Sequence, residues 1–357
     1  MPEKSILSFE VKRLDVLDEE GNADVSLMPG LSGPQIKRIY EMMVLSRAFD
    51  ERALRLQREG RLGTYASIRG QEAAQVASAF AAEKSDWIFP SFRETGVQIA
   101  LGYPLHMLFQ YWAGDERGMR CPEGLNVFPV CVPVGTHLPH AAGAAIAMKI
   151  RGEKKAALAY FGDGATSKGD FHEAFNLAGV FRAPAVFICQ NNQWAISVPL
   201  SRQTAARTLA QKAMAYGFTG IQVDGNDVFA VYKASKEAIE RAKHGGGPSF
   251  IECFTYRLEN HTTADDSTRY RPAGEIEDWR GRDPVKRLRL YMEKEGLLNE
   301  DQQRQLERKA EKAVDLAFRK MEEIGPPPAS DLFAYTFNEP SPREARQMRE
   351  FLADADG

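Results

Sequence analysis

Two short polar motifs, separated by one helix and one strand, hold the residues best suited to chemistry. Asp163 lies between two glycines directly after the apolar run 156–161, and Asn191-Asn192 ends the next apolar run. Either motif alone could be a tight turn or a polar strand end. The carboxyl ends of neighbouring parallel strands meet at one edge of a sheet, where ligands bind. The pairing therefore predicts that Asp163 and Asn192 face the same ligand.

The residues around Asp163 indicate which ligand this turn could bind. Gly162 and Gly164 let the backbone approach a ligand closely. Ser167 and Asp170 have the spacing of a capping box for a following helix, which predicts an anion site at the helix N-terminus. A bare carboxylate would repel a phosphate, so Asp163 requires a cation between them. Magnesium fits, because it binds through one or two carboxylates plus phosphate oxygens.

The elements that must position these residues form an alternating pattern. Between residues 137 and 256, short apolar runs with strand character alternate with amphipathic helical segments. That alternation predicts right-handed crossovers and an α/β fold, with a doubly wound, mostly parallel sheet and helices on both faces. Residues 35–58 have the period of an amphipathic helix, whereas residues 86–139 read as a long, loop-rich stretch.

The chain divides into three parts by composition. We expect a polar N-terminal arm over residues 1–33, one α/β domain over 34–340 and a C-terminal tail over 341–357. Within the domain, residues 259–284 read as a polar loop. Residues 300–325 read as a long amphipathic helix that belongs to a C-terminal helical extension.

The charge balance restricts the class of partner. Lysine and arginine number 46 against 49 acidic residues, a formal net charge of −3. This gives no basic field for a phosphate backbone, so we expect no nucleic acid partner. No apolar run is long enough for a membrane span and no secretory signal is visible, so we expect no membrane contact and a cytoplasmic location. The four cysteines show no close pairing, as expected of reduced thiols.

Longer segments around these motifs resemble one known family. They are GQEAAQVA, WIFPSFRETG, PEGLNVFPVCVPVGTHLPHAAGAA, GDGATSKGDFHEAFNLAGVFRAPAVFICQNNQWAISVP and YRLENHTTADDSTRYR. Together they resemble the α subunit of the thiamin diphosphate-dependent, decarboxylating first component of 2-oxo acid dehydrogenase complexes, over residues 35–340. The resemblance implies the thiamin diphosphate-binding fold, with thiamin diphosphate and magnesium as cofactors.

The same resemblance implies a metal site and a diphosphate site. Magnesium would be bound by the side chains of Asp163 and Asn192 and by the backbone carbonyl of Trp194. Arg93 matches an arginine that contacts the diphosphate, although without the family pattern it would read as a surface residue. The residues that would pack against the diphosphate are Gly162, Gly164 and Ala165.

Four further positions have roles implied by the resemblance. His261 would lie near the diphosphate and the 2-oxo substrate as a catalytic residue, the alternative being a solvated loop histidine. Asp170 matches an acid that points toward a tunnel between paired active sites, although a role at the helix N-terminus explains it almost as well. Val134 would support the bent cofactor, and Phe92 replaces a tyrosine common in relatives. The other five histidines read as packing or surface residues, and zinc is not expected.

The resemblance also implies an incomplete active site and several partners. A separate β subunit would supply a glutamate and form an α2β2 heterotetramer, which would pass acyl groups to the lipoyl acyltransferase core of the complex. The segment PEGLNVFPVCVPVGTHLP looks closer to pyruvate-type relatives than to branched-chain ones, and acetoin-cleaving relatives share most motifs. Two rival functions are a nicotinamide dehydrogenase and a non-catalytic scaffold subunit. A nicotinamide dehydrogenase would need a third glycine in its G-x-G-x-x-G motif, and this chain has Ser167 at that position.

Overall fold

A parallel β-sheet forms the centre of the molecule. The computed structural model describes residues 3–355. The strands are β1 (Lys12–Leu14), β2 (Trp87–Phe89), β3 (Ala157–Gly162), β4 (Ala185–Asn191), β5 (Trp194–Ala195), β6 (Val198–Pro199), β7 (Thr219–Asp224) and β8 (Ser249–Phe254). Six of them form one sheet in the order β1-β7-β8-β4-β3-β2, with every neighbouring pair parallel. Strands β5 and β6 form a separate antiparallel pair.

Helices cover both faces of this sheet. They are α1 (Gly33–Arg58), α2 (Glu72–Ala81), α3 (Thr95–Ala100), α4 (Leu105–Trp112), α5 (His137–Ile150), α6 (Gly169–Phe181), α7 (Leu200–Gln203), α8 (Val228–Lys243), α9 (Ala273–Arg280), α10 (Pro284–Lys294), α11 (Glu300–Ile324), α12 (Asp331–Ala334) and α13 (Pro342–Ala355). Helices α2 and α8 pack together on one face, and α5 and α6 pack together on the other. No helix within residues 3–355 is long and apolar enough to cross a membrane.

Two hydrophobic cores follow from the alternation of side chains along the strands. In β3, Leu158 and Tyr160 join the core under α2 and α8, whereas Ala159 and Phe161 join the core under α5 and α6. Strand β4 is buried along its whole length, as its continuous apolar sequence predicts for a strand covered on both faces. The predicted doubly wound α/β fold is therefore confirmed.

Several local predictions differ from the structure. The N-terminal segment contributes β1, which pairs with β7 at the edge of the sheet. The loop-rich stretch 86–139 contains β2, α3 and α4, whose short apolar runs are buried against the first core. The polar loop 259–284 contains α9. Packing against the rest of the chain, which local composition does not report, stabilises β2, α3 and α4, whereas β1 is held by pairing with β7 and α9 has no buried residue.

The predicted capping box is wrong. Residues Asp163–Ser167 form a turn of 3₁₀-helix, and Lys168 is the residue that precedes α6. Ser167 is used inside this turn, and its hydroxyl donates to the backbone carbonyl of Gln203 at 3.5 Å instead of capping α6. Because of this turn, α6 begins at Gly169, six residues after Asp163.

Candidate active site

A cavity of about 580 Å³ opens at the carboxyl ends of β3 and β4. Strands β3 and β4 pair in register, with Gly162 opposite Gln190, so the two polar motifs leave the sheet side by side. This confirms the predicted adjacency of their side chains. All ten predicted cofactor-binding residues line the cavity, namely Phe92, Arg93, Val134, Gly162, Asp163, Gly164, Ala165, Asn192, Trp194 and His261.

Three oxygen atoms converge at one end of the cavity, which we call the oxygen end (Asp163, Asn192 and Trp194). The Asn192 amide oxygen lies 3.3 Å from Asp163 Oδ1 and 3.1 Å from the Trp194 carbonyl oxygen. Octahedral magnesium holds its oxygens at about 2.1 Å, which separates adjacent ligands by about 3.0 Å. In this orientation of the Asn192 amide, both distances match the spacing of neighbouring ligands around one hard cation, whereas with the amide nitrogen in the same position they are hydrogen-bond distances.

Burial and hydrogen bonding set the charge of Asp163. Its side chain is only 1% exposed, and this burial raises the pKa of Asp163 to about 6. Nε2 of Gln203 donates to Asp163 Oδ2 at 2.6 Å and partly offsets that rise. A bound cation would favour the charged form further. Sequence analysis did not identify Gln203, which α7 brings over the Asp163 turn from 40 positions away.

Two glycines shape the turn that carries Asp163. A Cβ atom on Gly162 would meet no atom within 4 Å, so this backbone faces open space. A Cβ atom on Gly164 would lie 2.8 Å from the Cβ of Ala195, so a side chain there would push the following segment away. Residues 162–165 all line the cavity, so this turn borders the space where a diphosphate would bind.

A second group of residues, beside the Trp194 carbonyl, has His261 and Arg93 in the cavity lining and the buried Arg257 next to them, and we call it the arginine end (Arg93, Arg257 and His261). Nδ1 of His261 lies 3.1 Å from Nη2 of Arg93 and 3.3 Å from Nη1 of Arg257. Arginine N–H groups can only donate, so Nδ1 accepts and the ring proton resides on Nε2. Burial and the two guanidinium charges lower the pKa of His261 to about 3. The imidazole is therefore neutral at physiological pH.

Arg93 is held mainly by backbone carbonyls. Its Nη1 donates to the carbonyl of Ser67 at 2.6 Å, and its Nη2 donates to the carbonyl of His261 at 2.7 Å. Burial and the nearby Arg257 lower the pKa of Arg93 to about 10, so it keeps its charge at neutral pH. Phe92 packs its ring edge-on to His261, with centroids 5.8 Å apart, and offers no hydroxyl group.

Arg257 connects the two ends of the cavity, and sequence analysis did not identify it. This fully buried side chain donates to the carbonyls of Trp194 at 3.2 Å and Ile196 at 2.8 Å, and to the hydroxyl of Tyr270 at 2.8 Å. Gln193 and Ile196 have φ values of 72° and 54°, a conformation that costs non-glycine residues energy. Arg257 therefore stabilises a strained turn that presents the Trp194 carbonyl. An arginine directly after a buried strand, four residues before His261, was the available signal.

Asp170 lies outside the cavity lining. It is in the first turn of α6, where its charge is favourable, and its Oδ2 accepts from the hydroxyl of Thr136 at 3.4 Å. His137, which the sequence suggested to be a packing or surface residue, is buried, and it also lines the cavity wall. Its Nε2 donates to the carbonyl of Tyr160 at 2.7 Å, and burial lowers the pKa of His137 to about 4.

Comparisons with known proteins agree with this site. Residues 40–330 match the family described as the dehydrogenase E1 component. The chain is 45% identical over 309 residues to the pyruvate dehydrogenase E1 component subunit alpha of Staphylococcus aureus, an alignment that covers 86% of this chain and 84% of the relative. The protein of the same name from Staphylococcus epidermidis is 44% identical over the same shares. The match over most of its length shows that this chain belongs to the dehydrogenase E1 component family.

Proposed function

We propose that this chain is the α subunit of a pyruvate dehydrogenase first component, which decarboxylates pyruvate oxidatively and passes the acyl group to a lipoyl domain of the complex core. Members of this family depend on thiamin diphosphate. The observation that supports the proposal most is the oxygen end, where Asp163, Asn192 and Trp194 place three oxygens at cation spacing beside an accessible glycine turn. The names of the two relatives support pyruvate as the substrate.

The residues of this chain would bind the metal and the cofactor and would orient the substrate. When bound, thiamin diphosphate supplies the electron sink for decarboxylation. Asp163, Asn192 and the Trp194 carbonyl would hold magnesium, and the backbone from Gly162 to Ala165 would receive the diphosphate. His261 stays neutral and offers its Nε2–H as a hydrogen-bond donor to a carboxylate or carbonyl oxygen of the substrate.

A partner must supply the acid that the chemistry needs. Among residues 3–355, the carboxylates that line the cavity are those of Asp163 and Glu94. The Glu94 carboxylate accepts from Gln190 at 2.6 Å and from Ser91 at 2.8 Å, and is held behind Arg93. Neither group is free to exchange a proton with the aminopyrimidine ring. This supports a glutamate from a separate β subunit.

Apolar side chains at the cavity wall support the same partner. The exposed fractions are 58% for Val132, 42% for Val134 and 57% for Ile196. Burying these side chains under a second subunit would remove their apolar surface from water and close the cavity around the cofactor. We propose an α2β2 heterotetramer with the cofactor between α and β.

Turnover by the heterotetramer reconstituted with its β subunit tests this function. With thiamin diphosphate, magnesium and a lipoyl domain, we expect pyruvate to give a higher kcat/KM than 2-oxoisovalerate, and acetoin to give no lipoyl acylation. A preference for the branched substrate or for acetoin would overturn the assignment to pyruvate. Absence of turnover with all three substrates would favour a scaffold subunit.

A further inference from the structure

Gln71, directly before α2, contacts the oxygen end without being one of its three oxygens. Its side chain is fully buried and lines the cavity. Its Oε1 accepts from Nδ2 of Asn192 at 3.2 Å. Its Nε2 is also buried and has no hydrogen-bond partner within residues 3–355. Gln71 lies in the segment GQEAAQVA, which contributes to the family resemblance, but it is not in the predicted ligand set and no role was predicted for it.

The amide of Asn192 has two orientations that fit its position, and they suit different ligands. In the first, the amide oxygen faces Asp163 Oδ1 and the Trp194 carbonyl, accepts the Trp194 N–H at 3.3 Å, and leaves Nδ2 to donate to Gln71. This orientation places three acceptors together, which a cation stabilises and which otherwise repel one another. In the second, Nδ2 donates to Asp163 at 3.3 Å and to the Trp194 carbonyl at 3.1 Å. That orientation presents no amide oxygen to a metal.

The two amides rotate together. If Asn192 turns its nitrogen toward Asp163, its oxygen comes to face the Gln71 amide at 3.2 Å. Gln71 must then turn its own Nε2 toward Asn192, because two carbonyl oxygens would otherwise oppose each other. The orphaned Nε2 of Gln71 gains a partner in this second arrangement. The second arrangement therefore pairs the facing groups of both amides without a cation, whereas the first leaves Nε2 of Gln71 without a partner and needs a cation among its three acceptors.

We infer that Gln71 is a positioning residue for the metal: its Oε1 accepts from Asn192 and so turns the Asn192 amide oxygen toward the cation. This role rests on the proposed metal site. Gln71 itself touches neither the cation nor the substrate. It acts by supplying the acceptor that Nδ2 of Asn192 needs when the amide oxygen faces the cation, a contribution of about one hydrogen bond. Loss of its acceptor should therefore weaken metal binding by about 3- to 10-fold.

Binding of Mn²⁺ to the reconstituted heterotetramer, followed by electron paramagnetic resonance with thiamin diphosphate present, tests this role. We expect Gln71→Met to raise the Kd for Mn²⁺ by about 3- to 10-fold, because methionine fills the same space without an acceptor. Gln71→Glu keeps an acceptor and should bind Mn²⁺ at least as tightly as the wild type. The matched control is Gln98→Met, at a buried glutamine outside the cavity lining, which should leave the Kd unchanged.

The outcomes separate this role from the proposed function. A Kd for Gln71→Met equal to that of the wild type would overturn the positioning role while leaving the metal site in place. Equal weakening by Gln71→Met and Gln71→Glu would also overturn it, because that pattern indicates general disruption of packing. Absence of Mn²⁺ binding in the wild type would overturn the metal site itself, and the role of Gln71 with it.

Discussion

The oxygen end and the arginine end lie in one cavity but differ in how the chain satisfies them. At the arginine end, backbone carbonyls and the His261 ring accept most N–H groups of Arg93 and Arg257, and Nε of Arg257 has no hydrogen-bond partner within residues 3–355. At the oxygen end, three acceptors face one another within 3.3 Å. The first group of atoms is held together mostly by hydrogen bonds within the chain, whereas the second needs a cation or rotation of an amide to relieve the repulsion of its acceptors. We therefore expect the oxygen end to depend on a ligand more than the arginine end does.

The largest expected effect is at the oxygen end. Asp163→Asn keeps the shape of the side chain but removes the one negative charge at the site, and we expect magnesium-dependent binding of thiamin diphosphate to weaken by at least about 100-fold. Calorimetric titration of the reconstituted heterotetramer measures this. The fold should persist, because burial already raises the pKa of Asp163 to about 6 and its charge does not stabilise the chain. Wild-type affinity in this variant would remove Asp163 from the metal site.

A substitution at the arginine end should lower the stability of the fold. Arg257→Met leaves the buried carbonyls of Trp194 and Ile196 without this donor, and we expect the free energy of unfolding to fall by about 2–5 kcal/mol. Chemical denaturation of the variant and the wild type measures the difference. Arg13→Met, at a side chain that is 45% exposed, is the control and should change stability little. Wild-type stability in Arg257→Met would show that the hydrogen bonds of Arg257 do not stabilise the fold.

The smallest expected effect is on the pH dependence of stability. His261 has a pKa of about 3 in the fold, below the usual value of 6.5, so the unfolded chain binds a proton between these values and the folded chain does not. His261 therefore contributes stability above pH 6.5 that is lost as the pH falls toward 3. In His261→Gln, the fall in the free energy of unfolding from pH 7 to pH 5 should be smaller than in the wild type. An equal fall would contradict a neutral His261 between two arginines.

The two ends also differ in how far sequence alone predicts them. Asp163 and Asn192 follow two continuous apolar runs, and such runs become neighbouring buried strands in a parallel sheet, so their proximity was predictable. Gln71, Gln203 and Arg257 come from segments whose approach depends on packing of the whole domain. The position of Arg257 after an apolar run and four residues before His261 was a weak local signal, and nothing in the local sequence showed which groups these three side chains contact.

The wrong capping box at Ser167 and the unpredicted position of His137 at the cavity also have physical causes. A capping-box pattern at Ser167 does not reveal that the chain makes a 3₁₀ turn before α6 begins. His137 lies in a helical pattern typical of packing, and only the position of α5 at the end of β3 brings it to the cavity. Short-range patterns therefore predicted the elements better than their exact starts and neighbours.

The location of the metal tests the central claim most directly. Crystals of the heterotetramer grown with Mn²⁺ and thiamin diphosphate would show the ion by its anomalous diffraction. We expect one peak at about 2.2 Å from each of Asp163 Oδ1, Asn192 Oδ1 and the Trp194 carbonyl oxygen, with a diphosphate oxygen completing the contact. A peak elsewhere in the cavity, or bound cofactor without a metal at these three oxygens, would contradict the account.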